Sequence, residues 1–107
     1  MQSRVRNVID MICDETGISK DVVKDHEILV HDEFIGAGYG RPTEAGLTAM
    51  GIAAENEGII LDPIYTGKCM SAMLALIEAK RLGDSKDLVF LHTGGAPAIH
   101  AYAEFLL

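Results

Sequence analysis

The chain has 107 residues, 49% hydrophobic and 6% aromatic, and a formal net charge of −7. That length suits one domain, and the hydrophobic content is that of a globular chain, not a disordered one. The acidic balance, with no run of Lys or Arg, argues against a nucleic-acid-binding surface, which needs clustered cations to neutralise phosphates.

Two cysteines, Cys13 and Cys69, lie outside any CxxC spacing, which speaks for free thiols and against a disulfide framework. No window reaches the ~18 apolar residues of a membrane span. The N-terminus, Met1-Gln2-Ser3-Arg4, has no apolar stretch behind it and does not read as a signal peptide. Cytoplasm is the expected location.

Along the chain, Val5, Val8, Ile9 and Ile12 fall at i, i+3, i+4 and i+7 and predict a helix with Gly17 as its stop. Ser19 is placed to cap a short turn through Val23. Ile28-Leu29-Val30 reads as a buried strand. The stretch 32–42, with Gly36, Gly38, Gly40 and Pro42, predicts a structured loop. A second helix is expected between Thr43 as cap and Gly58 as stop. Leu47, Met50, Gly51 and Ala54 share one face, and its many small residues let a neighbouring backbone approach closely. Ile59-Ile60-Leu61 is a short apolar run closed by Asp62-Pro63.

A third helix follows Tyr65-Thr66-Gly67, with Met70, Met73, Leu74 and Ile77 as its stripe, Lys80 and Arg81 in its last turn and Gly83 as its end. Leu88-Val89-Phe90-Leu91 predicts a central parallel strand. His92-Thr93-Gly94-Gly95 forms the turn at its carboxyl end, and residues 98–106 form a final helix. This alternation predicts an α/β fold, a single domain over 1–107. With only two or three strands, the partial parallel sheet looks built to hold more than these residues supply.

Each motif has a plain reading beside the functional one. GAGYG (36–40) fails the dinucleotide pattern because Arg41 stands at the third glycine position. TGKC (66–69) fails the Walker pattern, since Asp62 and Cys69 occupy the required glycine and hydroxyl positions. Thr66 is then most simply a helix cap, and Cys69 a small buried residue. Tyr39 lies among glycines with little bulk around it, so its phenol can project into a cleft or pack on the surface. Thr93 offers a donor and an acceptor where ligands of α/β sheets bind, and Gly94 and Gly95 let the backbone come close. His26, His31, His92 and His100 have no metal-ligand spacing, and no metal is expected.

Three segments taken together are more specific. GYGRPTEAGLTA (38–49), EGIILDPIYTGKCMSAM (57–73) and FLHTGGAPAIHAY (90–102) resemble, in this order and spacing, the C-terminal part of the D-cysteine desulfhydrase and 1-aminocyclopropane-1-carboxylate deaminase family. That family belongs to the tryptophan-synthase-β-like class of pyridoxal-phosphate enzymes. The resemblance covers about residues 27–107 and implies a partial three-layer, parallel-sheet domain. It implies Tyr39 and Tyr65 as catalytic residues facing the substrate, and Thr66, Thr93 and Gly94 as cofactor-binding residues. Deaminases carry Glu where Thr66 stands and tend to carry an apolar residue where Thr93 stands, so the pair resembles the desulfhydrase branch.

The resemblance further implies a small amino acid as substrate. It places the cofactor's Schiff-base lysine and phosphate loop in an N-terminal part with no match here. Lys20, Lys24, Lys68, Lys80 and Lys86 do not occupy that lysine's context, so the chain alone is expected not to hold pyridoxal phosphate stably or to catalyse. Two other readings stand beside this one. One is a non-catalytic module that self-associates as a homo-oligomer to cover its sheet edges. The other is one chain of a split enzyme completed by an N-terminal partner.

Overall fold

The computed structural model describes residues 1–84 and 86–106, so the domain end expected at residue 107 lies outside the described residues. The chain divides into two compact units, Met1–Asp32 and Glu33–Leu107.

In the first unit, α1 spans Gln2–Thr16 and stops at Gly17, whose φ of 71° is the left-handed cap the sequence indicates. Two short 3₁₀ turns follow, Lys20–Val22 and Asp25–Glu27, and the Ser19 hydroxyl accepts from the Asp21 N–H at the start of the first. The expected stripe on α1 is not its buried face, for Val8 and Ile12 are exposed and Cys13 is the residue enclosed. Arg6 holds the returning segment of chain instead. Its guanidinium donates to the carbonyls of Lys20 and Val23 and pairs with Asp10 and Asp25. A planar fork of five donors suits that task.

In the second unit, α2 (Glu44–Glu57) begins at Thr43, whose hydroxyl accepts from the Gly46 N–H at 3.1 Å, and ends at Gly58 with φ 67°. α3 covers Thr66–Glu78. The two helices meet through small residues. Gly46, Ala49, Met50 and Ala53 form the buried face of α2, and Gly67 and Ser71 are buried on α3. A Cβ on Gly67 would stand 2.7 Å from the Asp62 carbonyl and 2.9 Å from Met50 Cγ, so only glycine admits that approach. The expected faces hold in part: Leu47, Met50 and Met70 pack in the core, while Gly51 and Ala54 are not buried on α2, and Met73, Leu74 and Ile77 on α3 are half-buried or exposed.

The end of α3 also differs from expectation. The helix stops at Glu78, before Lys80 and Arg81, with Lys80 at φ 54°. The Lys80 N–H donates to the Ile77 carbonyl and the Arg81 N–H to the Leu76 carbonyl. This is the six-to-one and five-to-two pairing of a Schellman turn, here built on a lysine where a glycine is usual.

Met50, Ala53 and Leu61 make the core of this unit, with Leu47, Met70, Phe90 and Ile99 packed against it. The last element, Ala96–Phe105, where a final helix was expected over 98–106, is of the 3₁₀ type and kinked at Tyr102. The runs 28–30, 59–61 and 88–91 carry no ladder pairing, and no strand is present among the described residues. A strand exists only with a partner, and apolar runs alone cannot supply one.

Candidate functional site

The site grows from the turn joining residues 59–61 to α3. Asp62 is wholly enclosed, at 0% exposure, and its carboxylate organises that turn. One oxygen accepts the N–H groups of Ile64 and Tyr65 at 2.8 and 2.7 Å. The other accepts the Thr66 N–H at 2.8 Å and the Thr66 hydroxyl at 2.6 Å. The Asp62 N–H returns a bond to the Thr66 oxygen at 2.8 Å. These N–H groups belong to the turn that opens α3, where backbone donors have no partner within the helix. Burial by itself pushes the Asp62 carboxyl upward. The hydrogen bonds from Thr66, Tyr65 and Ile64 outweigh it, and the group is held below the ordinary carboxylate range. The negative charge also sits at a helix N-terminus, where the dipole favours it.

This turn presents Tyr65 outward, 51% exposed. Its hydroxyl lies 2.6 Å from that of Tyr39, which is 83% exposed on the glycine loop. The rings meet edge to face, with centroids 6.0 Å apart and planes at 61°. The hydrogen bond to Tyr39 raises the Tyr65 phenol above its ordinary value, with burial adding to the effect. Two phenols that share one hydrogen bond use one proton between them and leave the second free to be offered outward.

The glycine loop that carries Tyr39 is tied down from several sides. Lys68, on the first turn of α3 and 7% exposed, donates to the Ile35 carbonyl at 2.7 Å and to the Gly38 carbonyl at 3.3 Å. The Tyr102 hydroxyl donates to the Gly40 carbonyl at 3.0 Å. Arg81 pairs with Glu33 at 3.0 Å at the start of the loop.

The turn at 92–95 reaches the same place. Gly95 packs directly on the Asp62 carboxylate, where an added Cβ would stand 2.5 Å from Oδ2, and its φ is 95°. Both facts require glycine. His92 accepts the Gly94 N–H at Nδ1 and therefore carries its proton on Nε2, which donates to the Ile60 carbonyl at 2.9 Å. Thr93 and Gly94 are exposed.

Among the described residues no group of three or more His, Cys, Asp or Glu could hold a metal, and no helix is long and apolar enough to cross a membrane.

Comparison with known proteins gives these contacts a family. A family model described as "Pyridoxal-phosphate dependent enzyme" matches residues 2–94. The chain belongs to the family of pyridoxal-phosphate-dependent enzymes. It is also 47% identical over 76 residues to the D-cysteine desulfhydrase of Klebsiella pneumoniae subsp. pneumoniae. That alignment covers 71% of this chain and 23% of the relative, so the chain spans about a quarter of that protein's length.

Among the five site residues named from the sequence of this pyridoxal-phosphate family member, Tyr39 and Tyr65 come together as a bonded pair. Thr93 and Gly94 lie on the turn packed against the Asp62 carboxylate through Gly95. Thr66 is 2% exposed, and its hydroxyl both donates to and accepts from Asp62. Cys69, expected to be buried, is exposed.

The residues present suit one side of a pyridine ring. Thr93 keeps an open hydroxyl, and Gly94 has no side chain to obstruct approach. The nearby carboxylate, Asp62, already accepts four hydrogen bonds from its own turn, which leaves it no acceptor position to offer a ring nitrogen.

Sequence reasoning missed Asp62, Lys68 and Tyr102, and singled out Gly95 for backbone approach but not for its seat on the Asp62 carboxylate. An acid just ahead of a helix start was a usable signal for Asp62. Nothing in a lone TGKC string marks its lysine as buried.

Proposed function

We propose that this chain forms the tyrosine-bearing wall of the active site of a pyridoxal-phosphate-dependent lyase that eliminates sulfide from D-cysteine. The observation that carries the reading is the 2.6 Å bond between the Tyr39 and Tyr65 hydroxyls, two exposed phenols from separate elements joined at one point. The desulfhydrase named among its relatives supports the substrate class.

In this reading Tyr39 and Tyr65 face the small amino acid. One phenol donates to the other, and the remaining O–H is the proton the pair can pass to, or receive back from, the reacting region of the substrate. Tyr65 is held rigidly because three consecutive N–H groups, its own among them, are fixed on the Asp62 carboxylate. Thr93 and Gly94 hold the cofactor ring. Thr66, whose hydroxyl is bonded to Asp62, is the threonine proposed beside the ring nitrogen, and Thr93 offers its exposed side chain to the ring. An uncharged hydroxyl there leaves that nitrogen largely unprotonated, where a carboxylate would favour its protonation. When bound, pyridoxal phosphate withdraws electrons from the substrate's Cα and so weakens the C–H bond to be broken. D-cysteine and water would yield pyruvate, hydrogen sulfide and ammonia.

The lysine for covalent attachment of the cofactor comes from outside these residues, since the buried Lys68 ammonium is committed to two loop carbonyls. The runs 59–61 and 88–91 are taken as neighbouring strands of a parallel sheet completed from elsewhere, consistent with His92 reaching the Ile60 carbonyl across them. Cytoplasm is the proposed location.

The test is direct. The chain alone, incubated with pyridoxal phosphate and dialysed, loses the cofactor and releases no sulfide from D-cysteine. Mixed with an N-terminal portion carrying the lysine and phosphate loop, it regains activity that Tyr39→Phe and Tyr65→Phe remove. Sulfide release by the unaided chain would overturn the reading.

A second reading is a module that covers itself with another copy or with a partner chain. It is favoured by Val89 and Leu91, 93% and 77% exposed on a run with no ladder partner among the described residues. Sedimentation distinguishes the two: a strict monomer at all concentrations counts against self-association.

A further inference from the structure

We propose that Lys68 is a positioning residue that sets the distance between the two phenols by holding the backbone of the Tyr39 loop. Lysine is rarely buried, because removing an ammonium from water is costly unless its donors are met. Here it stands on the first turn of α3, three residues after Tyr65, and is buried. No ion pair to Lys68 is present among the described residues. Its ammonium is instead directed at the carbonyls of Ile35 and Gly38, the latter directly preceding Tyr39.

The consequence follows from geometry. Tyr65 is fixed to α3 through the Asp62 turn, and Lys68 belongs to the same helix. The ammonium therefore references the Tyr39 backbone to the element that carries Tyr65. Without it, the Gly38 carbonyl keeps only the 3.4 Å bond from the Arg41 N–H, which closes a turn inside the loop and does not tie it to α3, while Tyr102 on Gly40 and Arg81 on Glu33 hold the flanks. The phenol–phenol bond is short and between two exposed side chains, so it survives only where both backbones are held. A structural lysine filling space would leave this bond indifferent to its loss.

The inference deepens the reading of Tyr39 and Tyr65 as the reactive pair and rests on it. Its test does not use the cofactor, so the two can fail separately. Ultraviolet titration of tyrosinate in the chain, which has three tyrosines, reads the pair directly. In the unsubstituted chain the Tyr65 phenol ionises above the ordinary phenol range. Tyr39→Phe brings it down and defines the unpaired signal. Lys68→Met is expected to give that same unpaired titration with Tyr39 still present and with helical ellipticity retained. Lys68→Arg, which keeps the charge and donors, is expected to restore the paired one.

If Lys68→Met loses its helices, Lys68→Gln, a shorter side chain with an uncharged donor, is read in its place. A paired titration in a folded Met or Gln variant overturns the proposal, as does loss of helix in both. Loss of D-cysteine turnover on Tyr39→Phe in the completed enzyme tests the parent reading independently.

Discussion

Replacing Asp62 by asparagine keeps the shape of the side chain and exchanges one acceptor oxygen for an NH₂ group. Its effect can be worked out bond by bond. The oxygen that remains can still accept from the Ile64 and Tyr65 N–H groups. The new amide nitrogen faces the Thr66 N–H and hydroxyl, so a donor meets donors where the carboxylate accepted two bonds. A lost hydrogen bond to a charged group costs about 1.5–3 kcal/mol, and an orphaned buried donor about 1–3 kcal/mol. Thr66 can rotate its hydroxyl and recover part of this, which leaves a net loss of about 3 kcal/mol. For a domain of 60–100 residues each kcal/mol shifts the midpoint by roughly 4–8 °C, so thermal unfolding followed by helical ellipticity should resolve it easily. The effect must also depend on pH. The folded carboxyl is held below its unfolded value of about 3.9, so its stabilisation is fully present above that value and is lost as pH falls through the folded one. The gap between the unsubstituted chain and the Asp62→Asn variant should therefore be widest near neutrality and narrow in acid. A gap under about 0.5 kcal/mol at neutral pH, the range of an ordinary surface change, would refute the account of this turn. So would a gap that acid leaves untouched.

Gly95→Ala sets a methyl group against the Asp62 carboxylate and forces φ 95° on a residue with a Cβ. A loss of about 1–3 kcal/mol in urea unfolding is expected from the backbone strain alone. Gly67→Ala drives α3 off α2. Met50 can yield, but the Asp62 carbonyl cannot, and overpacking of this kind costs about 1–3 kcal/mol. His92→Phe removes both the Gly94 and Ile60 bonds while keeping a planar ring, and should speed amide hydrogen exchange at Gly94 without altering exchange within α2.

The helix boundaries were legible wherever one residue type settles the backbone. Gly17 and Gly58 stop their helices in left-handed conformations, and Ser19 and Thr43 accept the N–H bonds their positions announce. The end of α3 was not legible, because its left-handed residue is Lys80 and the stop expected at Gly83 came later in the chain. The buried faces were only partly legible. Leu47, Met50 and Met70 do pack in the core, but counting large apolar residues also favours Met73, Leu74 and Ile77, while two helices packed backbone to backbone bury Gly46, Ala49, Gly67 and Ser71. The apolar runs at 59–61 and 88–91 carry no ladder, because pairing is a property of two segments and periodicity describes one. The meeting of Tyr39 and Tyr65 was not legible in the local pattern, since 26 positions separate them and nothing local links the glycine loop to the start of α3; only the family resemblance named the two together.

The polar residues that sequence reasoning passed over share a position and a logic. Asp62 and Lys68 bracket Tyr65, both are enclosed, and neither is paired with the other. The carboxylate gathers N–H groups of its own turn, and the ammonium gathers carbonyls of a loop some thirty residues away. An ion pair between them would have stabilised one helix start and fixed nothing else. Splitting the two charges costs more desolvation but lets each hold one peptide segment, and those segments carry Tyr65 and Tyr39. Burying charge for placement makes physical sense where a fraction of an ångström at a side-chain tip matters, as it does for two hydroxyls sharing a proton at 2.6 Å.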